Sequence, residues 1–65
     1  MLWLRYLLLG KARYYDRRFL PALEAFNFLL EEYGGQEAFY EGKLWREKTN
    51  LRLKNDEFAI TNLKP

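Results

Sequence analysis

The 65-residue sequence has no cysteine and no histidine, and it also lacks serine and valine. Without cysteine there is no disulfide, no thiolate metal site and no cysteine nucleophile. Without histidine and serine, neither a Ser-His-Asp nor a Cys-His arrangement can be assembled, and no imidazole is available to zinc. Carboxylates, lysines, tyrosines and two threonines are the reactive side chains left. No catalytic residue, cofactor or metal site is expected from that set, and the chain is read as a non-enzyme. β-Branched residues are scarce as well, limited to Thr49, Ile60 and Thr61. Leucine, glutamate, lysine, arginine and alanine dominate instead, and these lose little rotamer freedom in a helix. The expected fold class is all-α.

Long apolar runs are also missing. In the opening segment the run Tyr6–Leu9 is preceded by Arg5 and followed closely by Lys11 and Arg13. A secretory core needs about 7–15 apolar residues before a small-residue cleavage site, and a spanning helix about 20. Neither pattern is present, and no membrane contact is expected of the scaffold reading developed below. The apolar content is nonetheless high, 49% hydrophobic with 18% aromatic, which argues against disorder. A single core in a chain this short supplies only about 3–5 kcal/mol, so an unstapled chain is expected to lean on a partner.

Charge is arranged in blocks: residues 1–18 carry +4, residues 19–42 carry −5 and residues 43–65 carry +3. Alternating blocks suit segments that pack side by side with charges facing across the grooves. A nucleic-acid binder gathers its basic residues on one face, so no nucleic-acid partner is expected.

Three helices and part of a fourth follow from the spacing. The first runs from Leu2 to about Tyr15 and is apolar nearly all round, which calls for cover on every side. Asp16-Arg17-Arg18 reads as a tight turn. Pro21 must sit in the first turn of the next helix, so the N-cap lies at Arg18 or later. Phe19, Ala22, Leu23, Phe26, Leu29, Leu30 and Tyr33 then form one stripe at helical spacing. Gly34-Gly35 ends it, with a left-handed glycine cap expected. A third helix spans about Gln36 to Leu53. Tyr40, Leu44 and Leu51 share one of its faces, and Ala38, Gly42, Trp45 and Thr49 line the adjacent strip. Lys54-Asn55 reads as a turn, with Asp56 as N-cap of a short last helix carrying Ala59, Ile60 and Leu63.

The halves repeat: a shift of 37 residues aligns Ala22 with Ala59, Leu23 with Ile60 and Phe26 with Leu63. The series Tyr6-x2-Leu9-Gly10-x2-Arg13, Ala22-x3-Phe26, Gly34 resembles the tetratricopeptide repeat (TPR), whose pattern is Trp-x2-Leu-Gly-x2-Tyr, Ala-x3-Phe, Pro over about 34 residues. Tyr6 replaces Trp, Arg13 replaces Tyr, and Gly34 replaces Pro. Gly10 and Ala22 are small where the paired helices cross, and Phe26 is large enough to plug into the next repeat. The second copy is degenerate, with Glu47 where a small residue belongs. The resemblance implies a single TPR-like domain over 1–65, with repeat one at about 2–35 and an incomplete repeat two at about 36–65. It implies antiparallel helix-turn-helix units, a solenoid fragment of about three and a half helices.

Lys11–Asp16, Pro21–Asn27 and Trp45–Asn50 further resemble the TPR lipoproteins of gliding motility and type IX secretion. That likeness implies a role in protein secretion and a periplasmic or outer-membrane-associated location. Those proteins are anchored through an N-terminal cysteine that this chain does not carry, so it implies a piece excised from a longer protein.

What the resemblance implies about function is a non-catalytic scaffold that grips a protein or peptide in the groove lined by the first helix of each repeat. Repeat one offers Leu4, Leu7, Lys11, Tyr14 and Tyr15 to that groove, and repeat two offers Glu41, Leu44, Lys48, Leu51 and Arg52. Lys11, Lys48 and Arg52 on one surface suit an acidic peptide or a C-terminal carboxylate. In the pairs Tyr14-Tyr15 and Phe39-Tyr40 one member must face away from the buried stripe, since neighbours on a helix diverge by about 100°. Glu31-Glu32 and Glu37/Glu41 read as solvated faces. Self-association is expected, because repeat arrays need about three units to stand alone. The alternative is a membrane-surface peptide with Trp3, Leu4, Leu7 and Leu8 as its wedge beside Arg5 and Lys11.

Overall fold

The computed structural model describes the backbone of residues 2–35 and 37–63, and the side chains of 2–35 and 37–55. The described residues form three α-helices and no strand: α1 Leu2–Tyr15, α2 Phe19–Tyr33 and α3 Glu37–Leu63.

The turn between α1 and α2 closes α1 with its own backbone. The amide of Arg18 donates to the carbonyl of Arg13 at 2.9 Å and that of Arg17 to Tyr14 at 3.1 Å, the paired bonds of a Schellman cap. Such a cap needs a left-handed residue, and Arg17 takes that place at φ 62°. Arg18 then caps α2, its carbonyl accepting from Ala22 at 3.0 Å. Pro21 falls among the first residues of α2, whose amides have no helical partner in any case, so it costs the ladder nothing.

α2 ends at Gly34, though not by the expected left-handed cap. Gly34 has φ −72° and ψ 12°, and no described glycine has positive φ. Glycine serves there because a Cβ would run into the carbonyl oxygen of Leu30.

The contacts set the helix directions. Tyr6 meets Phe28 and Tyr33 while Tyr14 meets Phe19, so α1 and α2 are antiparallel neighbours. Gly42 of α3 meets Leu29 and Leu30, and Arg52 reaches Phe19, so α3 runs antiparallel to α2 and parallel to α1. The core gathers Leu7, Ala22, Phe26, Leu29, Ala38 and Trp45 from all three helices. The α2 stripe is inward as its spacing requires, with Ala25 also buried.

On α3 the buried strip is the one of small residues and a tryptophan: Ala38, Gly42, Trp45 and Thr49. The longer apolar side chains Tyr40, Leu44 and Leu51 face solvent. The buried hydroxyl of Thr49 donates to the carbonyl of Trp45 at 2.7 Å, so burying it leaves no polar group unpaired.

The turn at Lys54-Asn55 and the separate fourth helix do not form: α3 is continuous from Glu37 to Leu63, and Asp56 lies inside it. No glycine or proline stands between Gly42 and Pro65. Asn and Asp cost an exposed helix only about 0.5 kcal/mol each, too little to end it among strong helix formers. The side chains of Asp56, Ala59, Ile60 and Leu63, including the repeat-signature pair Ala59 and Leu63, lie outside those described. With no returning helix there, Glu47 at the position matching Gly10 meets no crossing.

Candidate functional site

Because α1 and α3 run parallel with α2 behind them, a groove opens along their seam. It encloses about 410 Å³ and is lined by Trp3, Leu4, Leu7 and Lys11 of α1 and by Glu37, Tyr40 and Glu41 of α3. Leu7, 3% exposed, forms the floor, while Leu4 and the 78%-exposed Tyr40 stand at the lips. The lining residues of each helix are linked by steps of three or four, the periodicity that aligns side chains on one face. Glu37 is exposed and Glu41 half-buried.

The seam continues past Lys11 onto Trp45, the hub of the aromatic contacts. Tyr14 and Tyr15 meet its ring edge-on at centroid separations of 5.4 and 5.8 Å, and Phe26 stacks behind it at 6.2 Å. The ammonium groups of Lys11 and Lys48 lie 5.0 and 4.9 Å from the same ring centroid. Farther along, the Arg52 guanidinium lies 5.6 Å from the ring of Phe19. Each such contact contributes roughly 0.5–1 kcal/mol where water reaches it. The charge blocks do not meet as ion pairs across the grooves: among the described residues the one ion pair is Arg18–Asp16, within the first turn. Lys11, Lys48 and Arg52 rest on aromatic rings instead, and none of the three forms an ion pair among the described residues.

Of the groove residues expected from the sequence, Leu4, Leu7, Lys11 and Glu41 line one cavity. Tyr14, Tyr15 and Lys48 gather around Trp45. Tyr14 is half-buried against the core, whereas Tyr15 is 71% exposed and is the outward member of its pair. In the second pair both Phe39 and Tyr40 are exposed. Leu44 and Leu51 are exposed on α3 and do not line the groove. Trp3, Glu37 and Tyr40 are groove residues absent from the expected set. The signal for two of them was present, since Trp3 lies one turn before Leu7 and Tyr40 one turn before Leu44.

Of the membrane wedge, Leu4 and Leu8 are exposed, while Leu7 is in the core and Trp3 is half-buried against it. Among the described residues no helix is long and apolar enough to cross a membrane. No group of three or more acidic side chains is placed to hold a metal ion there. Comparison with protein-family models, with curated proteins and with solved structures finds no match to this chain.

Proposed function

We propose that the chain is a non-catalytic helical-repeat module that binds a protein or peptide segment along the α1–α3 seam. One observation carries the reading: two parallel helices flank a groove, apolar on its α1 wall with Glu37 and Glu41 on its α3 wall, that leads to three cations, none of them in an ion pair among the described residues. The ligand class that matches is a peptide with apolar side chains at one end and an acidic cluster or free carboxylate at the other. Apolar side chains seat against Leu4, Leu7 and Tyr40, and the acidic end meets Lys11, Lys48 and Arg52. Such charge pairing sets partner choice and orientation more than raw affinity.

A peptide display library tests it. Enriched peptides are expected to be apolar at one end and acidic at the other, to release as salt rises, and to weaken at least tenfold against Lys11→Glu with Lys48→Glu. Enrichment of basic peptides, or indifference to both substitutions, overturns the reading. Liposome binding by the whole chain, lost with Leu4→Glu and Leu8→Glu at two exposed positions with the helical circular dichroism unchanged, would transfer the evidence to the membrane-surface alternative.

We propose the tetratricopeptide kinship on the motif residues Tyr6, Leu9, Gly10, Ala22, Phe26 and Gly34. The close approach of α2 to Gly10 and the stacking of Phe26 on Trp45 of α3 support it, because the repeat pattern calls for a small residue at the helix crossing and a large one reaching the next repeat. The narrower kinship, with lipoproteins of gliding motility and type IX secretion, rests on Lys11–Asp16, Pro21–Asn27 and Trp45–Asn50. A lipoprotein signal with its cysteine encoded upstream of Met1 supports that kinship, and an in-frame stop codon directly upstream overturns it.

A further inference from the structure

The α1–α2 hairpin has a second open face, separate from the α1–α3 seam. A shallow cleft of about 260 Å³ lies there, lined by Tyr6, Leu9 and Arg13 of α1 and by Glu24, Ala25 and Phe28 of α2. Leu9 and Phe28 are 42% and 41% exposed, so large apolar side chains are only half covered. Charge on this face is divided by helix. Arg13 lines the cleft from α1 and Glu24 from α2, and helical spacing sets Arg5 one turn before Leu9 on the first edge and Glu31 and Glu32 one turn after Phe28 on the second. None of these five forms an ion pair with another described residue. The Arg13 guanidinium donates one bond to the Pro21 carbonyl, at 3.1 Å, leaving its other donors free of a protein acceptor among the described residues. That bond and the Tyr6–Phe28 contact fix the levels: Arg13 stands beside the start of α2 and Arg5 beside its last turns.

We propose that this face binds a second copy of the chain about a two-fold axis parallel to the helices. That rotation lays α1 of one copy over α2 of the other at the same level, so the arginine edge meets the glutamate edge twice. A two-fold axis across the helices would instead set α1 on α1 and oppose like charges. A partner of uniform charge would be repelled by one helix or the other, whereas a face positive on one edge and negative on the other complements itself. The product is an antiparallel four-helix arrangement with Leu9 and Phe28 at its centre, the isologous geometry common in small dimers. Two helices of this length present a face of roughly 20 Å by 20 Å, and burying two of them removes on the order of 1,000 Å². That is near the lower limit for a specific interface, so the dissociation constant is expected in the micromolar range. The α1–α3 seam stays open in this dimer.

Charge redistribution tests the proposal by sedimentation equilibrium. One chain carries Glu24→Arg, Glu31→Arg and Glu32→Arg, which makes both edges basic, and the other carries Arg5→Glu and Arg13→Glu, which makes both acidic. Each is expected to be monomeric alone, and an equimolar mixture is expected to form a one-to-one dimer. Helical circular dichroism checks that both fold. If either does not, Leu9→Glu, one change at a half-exposed position, takes its place and is expected to weaken the unmodified dimer at least tenfold. A monomeric unmodified chain at about tenfold above the micromolar range overturns the proposal. So does a dimer that survives these changes, or one that dissociates on Leu44→Glu, since Leu44 lies on α3.

Discussion

Gly10 lies directly under the ring of Phe26. A Cβ built on Gly10 would come within 2.7 Å of both Cδ1 and Cζ of that ring and closer still to Cε1. The ring in turn stacks on Trp45, so one missing methyl group on α1 sets how closely all three helices approach. Replacing Gly10 with alanine is therefore expected to destabilise the fold. Overpacking of a filled core costs about 1–3 kcal/mol, against roughly 1 kcal/mol of gained helix propensity. A net loss of up to about 2 kcal/mol in urea denaturation is the expected outcome, and a gain would contradict the packing. Gly42→Ala should cost less, because its added methyl meets the flexible end of Leu30 rather than a wedged ring.

Arg17 is held at φ 62°, where a side chain is strained and glycine is not. The left-handed region costs a non-glycine residue roughly 1–2 kcal/mol, partly offset by the extra unfolded-state freedom of glycine. Arg17→Gly is expected to raise stability by about 0.5–1 kcal/mol, read as a higher melting midpoint. A lower midpoint would mean that Arg17 makes contacts beyond the turn.

Lys11 and Lys48 both cover Trp45, and their stems and charges can be separated. In Lys11→Met with Lys48→Met the apolar stems remain and the ammonium groups are lost. Stability is expected to fall by no more than about 1–2 kcal/mol, the sum of two partly exposed cation–π contacts. Trp45→Ala, by contrast, removes a buried ring and is expected to cost about 3–5 kcal/mol. Equal losses in thermal melts would show that the charges, not the ring, hold this part of the core.

Arg52 lies over Phe19, the first residue of α2, so α3 beyond that point runs past the end of the hairpin. Asn55→Pro would break the helical ladder there but touch no part of the described core. Helical circular dichroism is expected to fall while the unfolding midpoint moves by less than the equivalent of about 1 kcal/mol, because turns that lie past the described core can melt without opening it. A midpoint collapse would mean that the end of α3 is integral to the fold.

Much of this architecture was legible in the residues. The α2 stripe and the Arg18 cap follow from local rules, because each depends on neighbours within one or two turns, whereas the crossing at Gly10, whose partner Phe26 lies on another helix, was implied by the repeat resemblance. The end of α3 was not legible, since a polar Lys-Asn-Asp stretch is compatible with a turn and with an exposed helix, and the difference is below 1 kcal/mol per residue. The candidate groove was half legible. The repeat resemblance implied Leu4, Leu7, Lys11 and Glu41, which line it, together with Leu44 and Leu51, which are exposed on α3 outside its lining.

Composition and periodicity by themselves determined an all-helical chain, the limits of its first two helices and the absence of cysteine and histidine chemistry. Only the tertiary structure decided which stripe of α3 turns inward. Tyr40, Leu44 and Leu51 are the more apolar set, yet Gly42 and Ala38 face the core because a close helix approach needs small residues at the contact and Trp45 fills the space that remains. Hydrophobicity ranks the stripes, but the shape of the surface already formed by Phe26, Leu29 and Leu30 selects between them.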